Sequence, residues 1–158
     1  MSPTYAAKTS VGWKSSRDEI ERTLQRYGAT QFMTGWDVGG AMVAFSARGR
    51  QFRFMLPLPD QRSREFTHTA SRGVQRSPLE AEKSYDQAVR QRWRALALVI
   101  KAKLEAVASG ISDFEEEFLA HIILPSGRTV AEETLPSITQ MYEGGEVRPL
   151  LELTGGAS

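Results

Sequence analysis

The hydrophobic pattern changes period twice along the chain. Ile20, Leu24 and Tyr27 recur at helical spacing after Ser16-Arg17-Asp18-Glu19, which reads as a capping box, and Gly28 is a plausible stop. This predicts a first helix of about three turns. From there the pattern alternates. "TQFMTGW" puts Phe32, Thr34 and Trp36 on one face, "AMVAFSA" adds Val43 and Phe45, and "RQFRFML" adds Phe52, Phe54 and Leu56. "DVGG" and "RG" read as the turns between them. The expectation is a three-stranded antiparallel meander with one aromatic face, ended by Pro57 and Pro59. Met33, Met42, Arg53 and Met55 fall on the opposite face.

The helical period then returns. Ser77-Pro78-Leu79-Glu80 combines a cap, a proline at the first helical position and a closing glutamate. Tyr85, Val89, Trp93, Leu96, Ile100, Leu104 and Val107 follow at steps of three and four, as far as Ser109 and Gly110. A helix of about 48 Å is implied, longer than a three-stranded sheet requires. Its excess length calls for another partner, in this chain or in a second copy. A further capping box at Ser112–Glu115 opens "FEEEFLAHII", and Thr129 with Glu132 can cap a last helix in which Pro136 forces a kink or a division. The fold class is therefore α+β: a three-stranded antiparallel meander packed against one long amphipathic helix, with shorter helices at both ends. The 158 residues fit one domain, with residues 1–14 and 144–158 read as poorly ordered.

Between the last strand and the long helix lies "LPDQRSREFTHTASRGVQRSP", which has almost nothing to pack a core. The connection, residues 59–77, exceeds the length of most structureless loops, and long loops are usually functional or disordered. Arg62, Arg64, Arg72 and Arg76 offer forked donors suited to phosphates, and Phe66 offers a ring on which a base can stack. Arg48 and Arg50 at a strand turn, Arg53 on the methionine face, and Arg90 and Arg94 beside Trp93 can extend such a surface. The plain alternatives are a solvated loop paired with the acidic end, methionines packed by a helix, and a solvated helix face.

Charge sharpens this picture. The net charge is only +1, yet residues 46–78 carry seven arginines against two carboxylates, and residues 110–158 carry two basic against nine acidic side chains. A basic middle favours polyanions, whereas the acidic end repels them or neutralises the basic part within or between chains. There is no cysteine, so disulfides and thiolate metal sites are excluded. No apolar run approaches a membrane span, and the N-terminal stretch lacks a signal-peptide core, which leads to the expectation of a soluble protein of the cytoplasm. No phosphate loop, dinucleotide fingerprint, HExxH or nucleophile elbow is present. Thr67-His68-Thr69 is loosely similar to the H-x-T element of two-histidine phosphodiesterases, but that chemistry needs two such elements and the second is missing at His121-Ile122-Ile123. No catalytic residue, metal or cofactor is assigned.

"RQRWRALALVIKAKLEAVASGISDFEEEFLAHIILPSGRTV", "FTHTASRGVQRSP" and "FRFMLPLPD" resemble segments of a small family carried by phages and prophages. The resemblance covers most of residues 20–140. It implies a phage setting in the host cytoplasm and carries over no activity. The expected function is a non-enzymatic nucleic-acid-binding accessory protein of replication or recombination that grips the phosphate backbone through the basic loop and self-associates. The alternative is a phage module that binds and inhibits a host defence system or host enzyme. A small hydrolase built on His68 is the third class.

Overall fold

The computed structural model describes residues 4–150, with side chains from Gly12 onward. The order is helix α1 (Thr4–Arg26), strands β1 (Gln31–Asp37), β2 (Gly40–Ala47) and β3 (Arg50–Pro57), helices α2 (Arg64–Thr67), α3 (Pro78–Ala108) and α4 (Phe114–Glu117), a 3-10 turn Leu119–His121, and helix α5 (Val130–Gly144). The α+β expectation holds: a meander in the order β1-β2-β3, one long helix, and shorter helices at both ends. No described helix is long and apolar enough to cross a membrane.

The meander aligns Phe32, Phe45 and Phe52 in one row across the strands and Thr34, Val43 and Phe54 in the next. Its period-2 pattern thus sends every aromatic of these rows to one face. At Arg48 and Gly49 both φ angles are positive, 50° and 75°, as a two-residue hairpin of the tightest kind requires. Gly40 sits where a Cβ would overlap the Leu56 carbonyl oxygen of β3.

Helix α3 starts as expected. The Ser77 hydroxyl accepts from the Glu80 amide and the Glu80 carboxylate accepts from the Ser77 amide. Its buried stripe is Val89, Trp93, Leu96, Ala97, Ile100 and Leu104. Its excess length is covered within the chain. Helix α1 runs beside it, with Trp13 stacked on Trp93, and α2 packs against its first turns through the Phe66–Tyr85 contact.

Three local expectations need correction. Helix α1 does not start at the Ser16 box but continues through it from Thr4, so residues 4–14, read as loosely ordered, are helical. The capping signal is local and is overridden by burial: Trp13 extends the stripe of Ile20 and Leu24 into the core. "FEEEFLAHII" is no continuous helix. Asp113, not Ser112, caps a four-residue α4, accepting from the Glu116 amide. The chain then tightens into the 3-10 turn and runs extended, with the Ile123 amide donating to Gln51 O at 2.7 Å beside β3. The helix ends because Ile122 and Ile123 pair with the edge of β3 and with Thr129 and Val130 instead of extending the preceding turn. Finally, Pro136 does not divide α5, which runs unbroken through it. The Glu132 carbonyl, whose intrahelical donor proline lacks, accepts instead from the Arg128 guanidinium at 2.7 Å. The expectation of a poorly ordered tail falls partly outside the described residues, which end at residue 150.

Candidate nucleic-acid interface

The connection between β3 and α3 is built, not structureless. The Asp60 carboxylate accepts from the Arg62 amide at 2.9 Å, which turns the chain into α2. His68 and Gln75 then form an antiparallel bridge, with Thr69 N–H donating to Val74 O and Arg76 N–H to Thr67 O. Gly73, at φ 62°, turns the tip.

Two of the expected contact residues are what holds this loop. Phe66 is 4% exposed, its ring edge-on to Tyr85 of α3, so it is removed from the surface on which a base would stack. Arg76 points inward: its guanidinium donates to the carbonyls of Glu65 and Phe66 and, at 2.6 Å, to the Ser84 hydroxyl of α3. Arg62, Arg64 and Arg72 are exposed, and none has an ion pair among the described residues. The Arg64 guanidinium lies over Gly73, the residue that follows Arg72 at the tip.

The remaining arginines do not extend this cluster into one surface. Arg48 lies over the Phe114 ring, 4.8 Å from its centroid. Arg50 pairs with Glu115 at 3.2 Å. Arg53 is bound on the open sheet face by the Glu132 carboxylate at 3.0 Å and Gly127 O at 3.1 Å. Arg90 lies against Gly12 of α1. Arg94 is exposed, but Tyr85, which meets the loop, is nine residues away, half a turn out of phase at about 100° per residue. Two helices place further cations that sequence reading missed. Arg22 and Arg26 of α1 and Lys101 of α3 line a cleft of about 160 Å3, where Glu19 and Glu105 offset most of their charge. The helical periodicity of both segments carried that signal.

The histidines are otherwise engaged. His68 Nδ1 is 2.7 Å from the Thr67 hydroxyl. His121 stacks on Phe54 at 3.8 Å, and burial holds its pKa below the ordinary value, with Lys103 acting the same way. Among the described residues no three histidine or carboxylate side chains converge as metal ligands would. No family model, curated protein or solved structure matches the chain.

Proposed function

We propose that this is a non-enzymatic nucleic-acid-binding accessory protein of phage replication or recombination, acting in the host cytoplasm. It grips the phosphate backbone through the loop between β3 and α3. The observation that carries this reading is the exposure of Arg62, Arg64 and Arg72, free of carboxylate partners among the described residues, on a loop tied down by Phe66 and Arg76. Guanidinium forks presented by a pinned backbone lose little entropy on meeting phosphates. The segments resembling phage proteins support the setting. The test is fluorescence anisotropy with single- and double-stranded DNA and with RNA over a range of salt. Binding should weaken with a log–log slope of about −0.7 to −0.9 per phosphate neutralised. The combined Arg62→Ala, Arg64→Ala, Arg72→Ala variant should flatten that slope by about two to three units, while Arg90→Ala with Arg94→Ala leaves it in place. No binding at low salt, or unchanged binding by the triple variant, removes the reading.

A second reading, a module that occupies a host protein, draws on α5. Among the described residues, this helix has no cover beyond its first turn, where it combines glutamates with exposed Leu135, Ile138, Met141 and Tyr142. Apolar side chains grouped in this way mark contact surfaces.

A further inference from the structure

Of the three tryptophans, two are spent on the core and one is not. Trp13 and Trp93 are 8% and 1% exposed and lie face to face, whereas Trp36, on the edge strand β1, is 69% exposed. Trp36 meets Trp13 edge to face, with 6.0 Å between centroids and the planes 77° apart. Such a contact occupies at most one face of the Trp36 indole and leaves the other free of Trp13. The seat is firm, because Trp13 is itself held on Trp93. Trp36 also stands at the end of the sheet from which the basic loop departs. It shares a row with Ala41 and Leu56, and the next row is Asp37, Gly40 and Pro57. The chain leaving β3 passes this turn so closely that a Cβ on Gly40 would meet the Leu58 nitrogen at 3.1 Å. At the root of the loop the Arg92 guanidinium donates to the Pro57 carbonyl at 3.3 Å; Arg92 is exposed and has no ion pair among the described residues. Asp37 turns its carboxylate into the hairpin, where it accepts from the Gly39 amide at 2.7 Å.

We propose that Trp36 is the stacking platform of the nucleic-acid site and that the site therefore takes a single strand. The proposal rests on the nucleic-acid reading above and narrows it. The loop supplies cations without a free ring, since Phe66 is buried against Tyr85. Trp36 supplies the ring at the same end of the molecule, and Arg92 adds a cation at the loop's root, on the third strand, two strand spacings or about 10 Å from β1. Stacking on an aromatic side chain needs a base face that no neighbouring base pair covers. An unpaired strand offers such faces, and the interior of a duplex does not. Every base has a π-face, so this contact adds affinity without adding sequence preference. Stacking releases no counterions, so it adds affinity without adding to the salt dependence, which belongs to the arginines. An exposed tryptophan is also a common anchor for a protein partner, and the experiment separates the two.

The full chain is titrated with oligothymidylate and, separately, with a duplex of the same length. Because Trp13 and Trp93 are buried, Trp36 dominates the emission that acrylamide can reach. The single strand should quench that emission and shield it from acrylamide, and the duplex should do neither. This readout is taken on the parent protein and does not depend on how any variant folds. Trp36→Ala should weaken single-strand binding about 5- to 150-fold, the worth of one stacked base, while leaving the log–log salt slope unchanged. Trp36→Phe keeps a ring and should lose less. The combined Arg62→Ala, Arg64→Ala, Arg72→Ala variant should do the converse, flattening the slope while the strand that still binds still quenches Trp36. Binding of the single strand without quenching or shielding overturns the inference and leaves the loop reading in place. So does a Trp36→Ala variant that binds as tightly as the parent, or equal quenching by the duplex. Absence of binding by either nucleic acid at low salt removes the loop reading and the inference together, and leaves Trp36 to a protein partner.

Discussion

Trp13 lies face to face with Trp93, their ring centroids 4.7 Å apart and their planes 17° from parallel. Both are buried, and Trp36 closes the group edge-on against Trp13 at 6.0 Å. This contact is where the N-terminal helix, the long helix and the end of the sheet meet. Trp93→Ala should cost about 3–5 kcal/mol of stability, as large truncations in a packed core do. Trp13→Ala should cost a comparable amount. The double variant should fall short of the sum by about 0.5–1.5 kcal/mol, the coupling of an aromatic pair. Urea unfolding of the four proteins checks this. A loss below about 0.5 kcal/mol at either position shows that α1 does not dock on α3.

Arginines that look alike in the loop sequence should separate into two classes. Arg76 bonds two carbonyls of its own loop and the Ser84 hydroxyl, partly buried. Arg76→Ala should speed amide exchange across residues 63–76 and cost about 1–3 kcal/mol, because those acceptors lose a charged donor. Arg62→Ala, Arg64→Ala and Arg72→Ala should each change stability by less than about 0.5 kcal/mol. Exchange and urea midpoints measured on all four variants test the division. Equal behaviour of Arg76 and Arg72 contradicts it.

That division also shows how far the sequence could be read. The meander and α3 are legible because periods of two and 3.6 are visible in any local window, and the Ser77–Glu80 box is local too. The roles of Arg53 and Arg76 are not. Arg53 meets Glu132 across 79 positions, and Arg76 reaches a serine on the second turn of α3. In sequence each is one more arginine in a basic stretch, and only the fold turns it inward. Phe66 is a similar case: a lone aromatic among polar residues looks exposed until Tyr85 is brought beside it. The Ser16 box misleads for the opposite reason. It is a valid local signal that the burial of Trp13 overrides.

Arg128 and Pro136 should be coupled although they do not touch. The Arg128 guanidinium donates to the Glu132 carbonyl whose helical donor Pro136 lacks, and it also pairs with Glu133 at 3.2 Å. Arg128→Ala should loosen α5, seen as faster amide exchange over residues 134–144. Pro136→Ala should slow it, because alanine restores the bond and removes a helix penalty of about 3 kcal/mol. In the Pro136→Ala background the effect of Arg128→Ala should shrink by about 0.5–1.5 kcal/mol, the value of the hydrogen bond no longer needed. Additive effects would show that Arg128 acts only through Glu133.

Stability should respond to acid in two separate windows. His121 stacks on Phe54 with its pKa held below the ordinary 6.5, chiefly by burial and also by Lys103. As pH falls below 6.5 the unfolded chain takes up a proton that the folded chain refuses, so stability declines from there down to the folded pKa. His121→Phe keeps a ring against Phe54 and should abolish that decline. Glu132 has its pKa held below the ordinary 4.5, first by the Thr129 amide at 2.8 Å and then by the Arg53 charge. Its stabilising effect is complete above 4.5 and is lost as pH falls through the lower folded value. Glu132→Gln should remove only this second, more acidic part, and in the parent protein amide exchange over residues 130–133 should quicken there first. Urea midpoints measured at closely spaced pH values separate the two windows. A parent profile flat between the two ordinary values would show that His121 is not buried against Phe54.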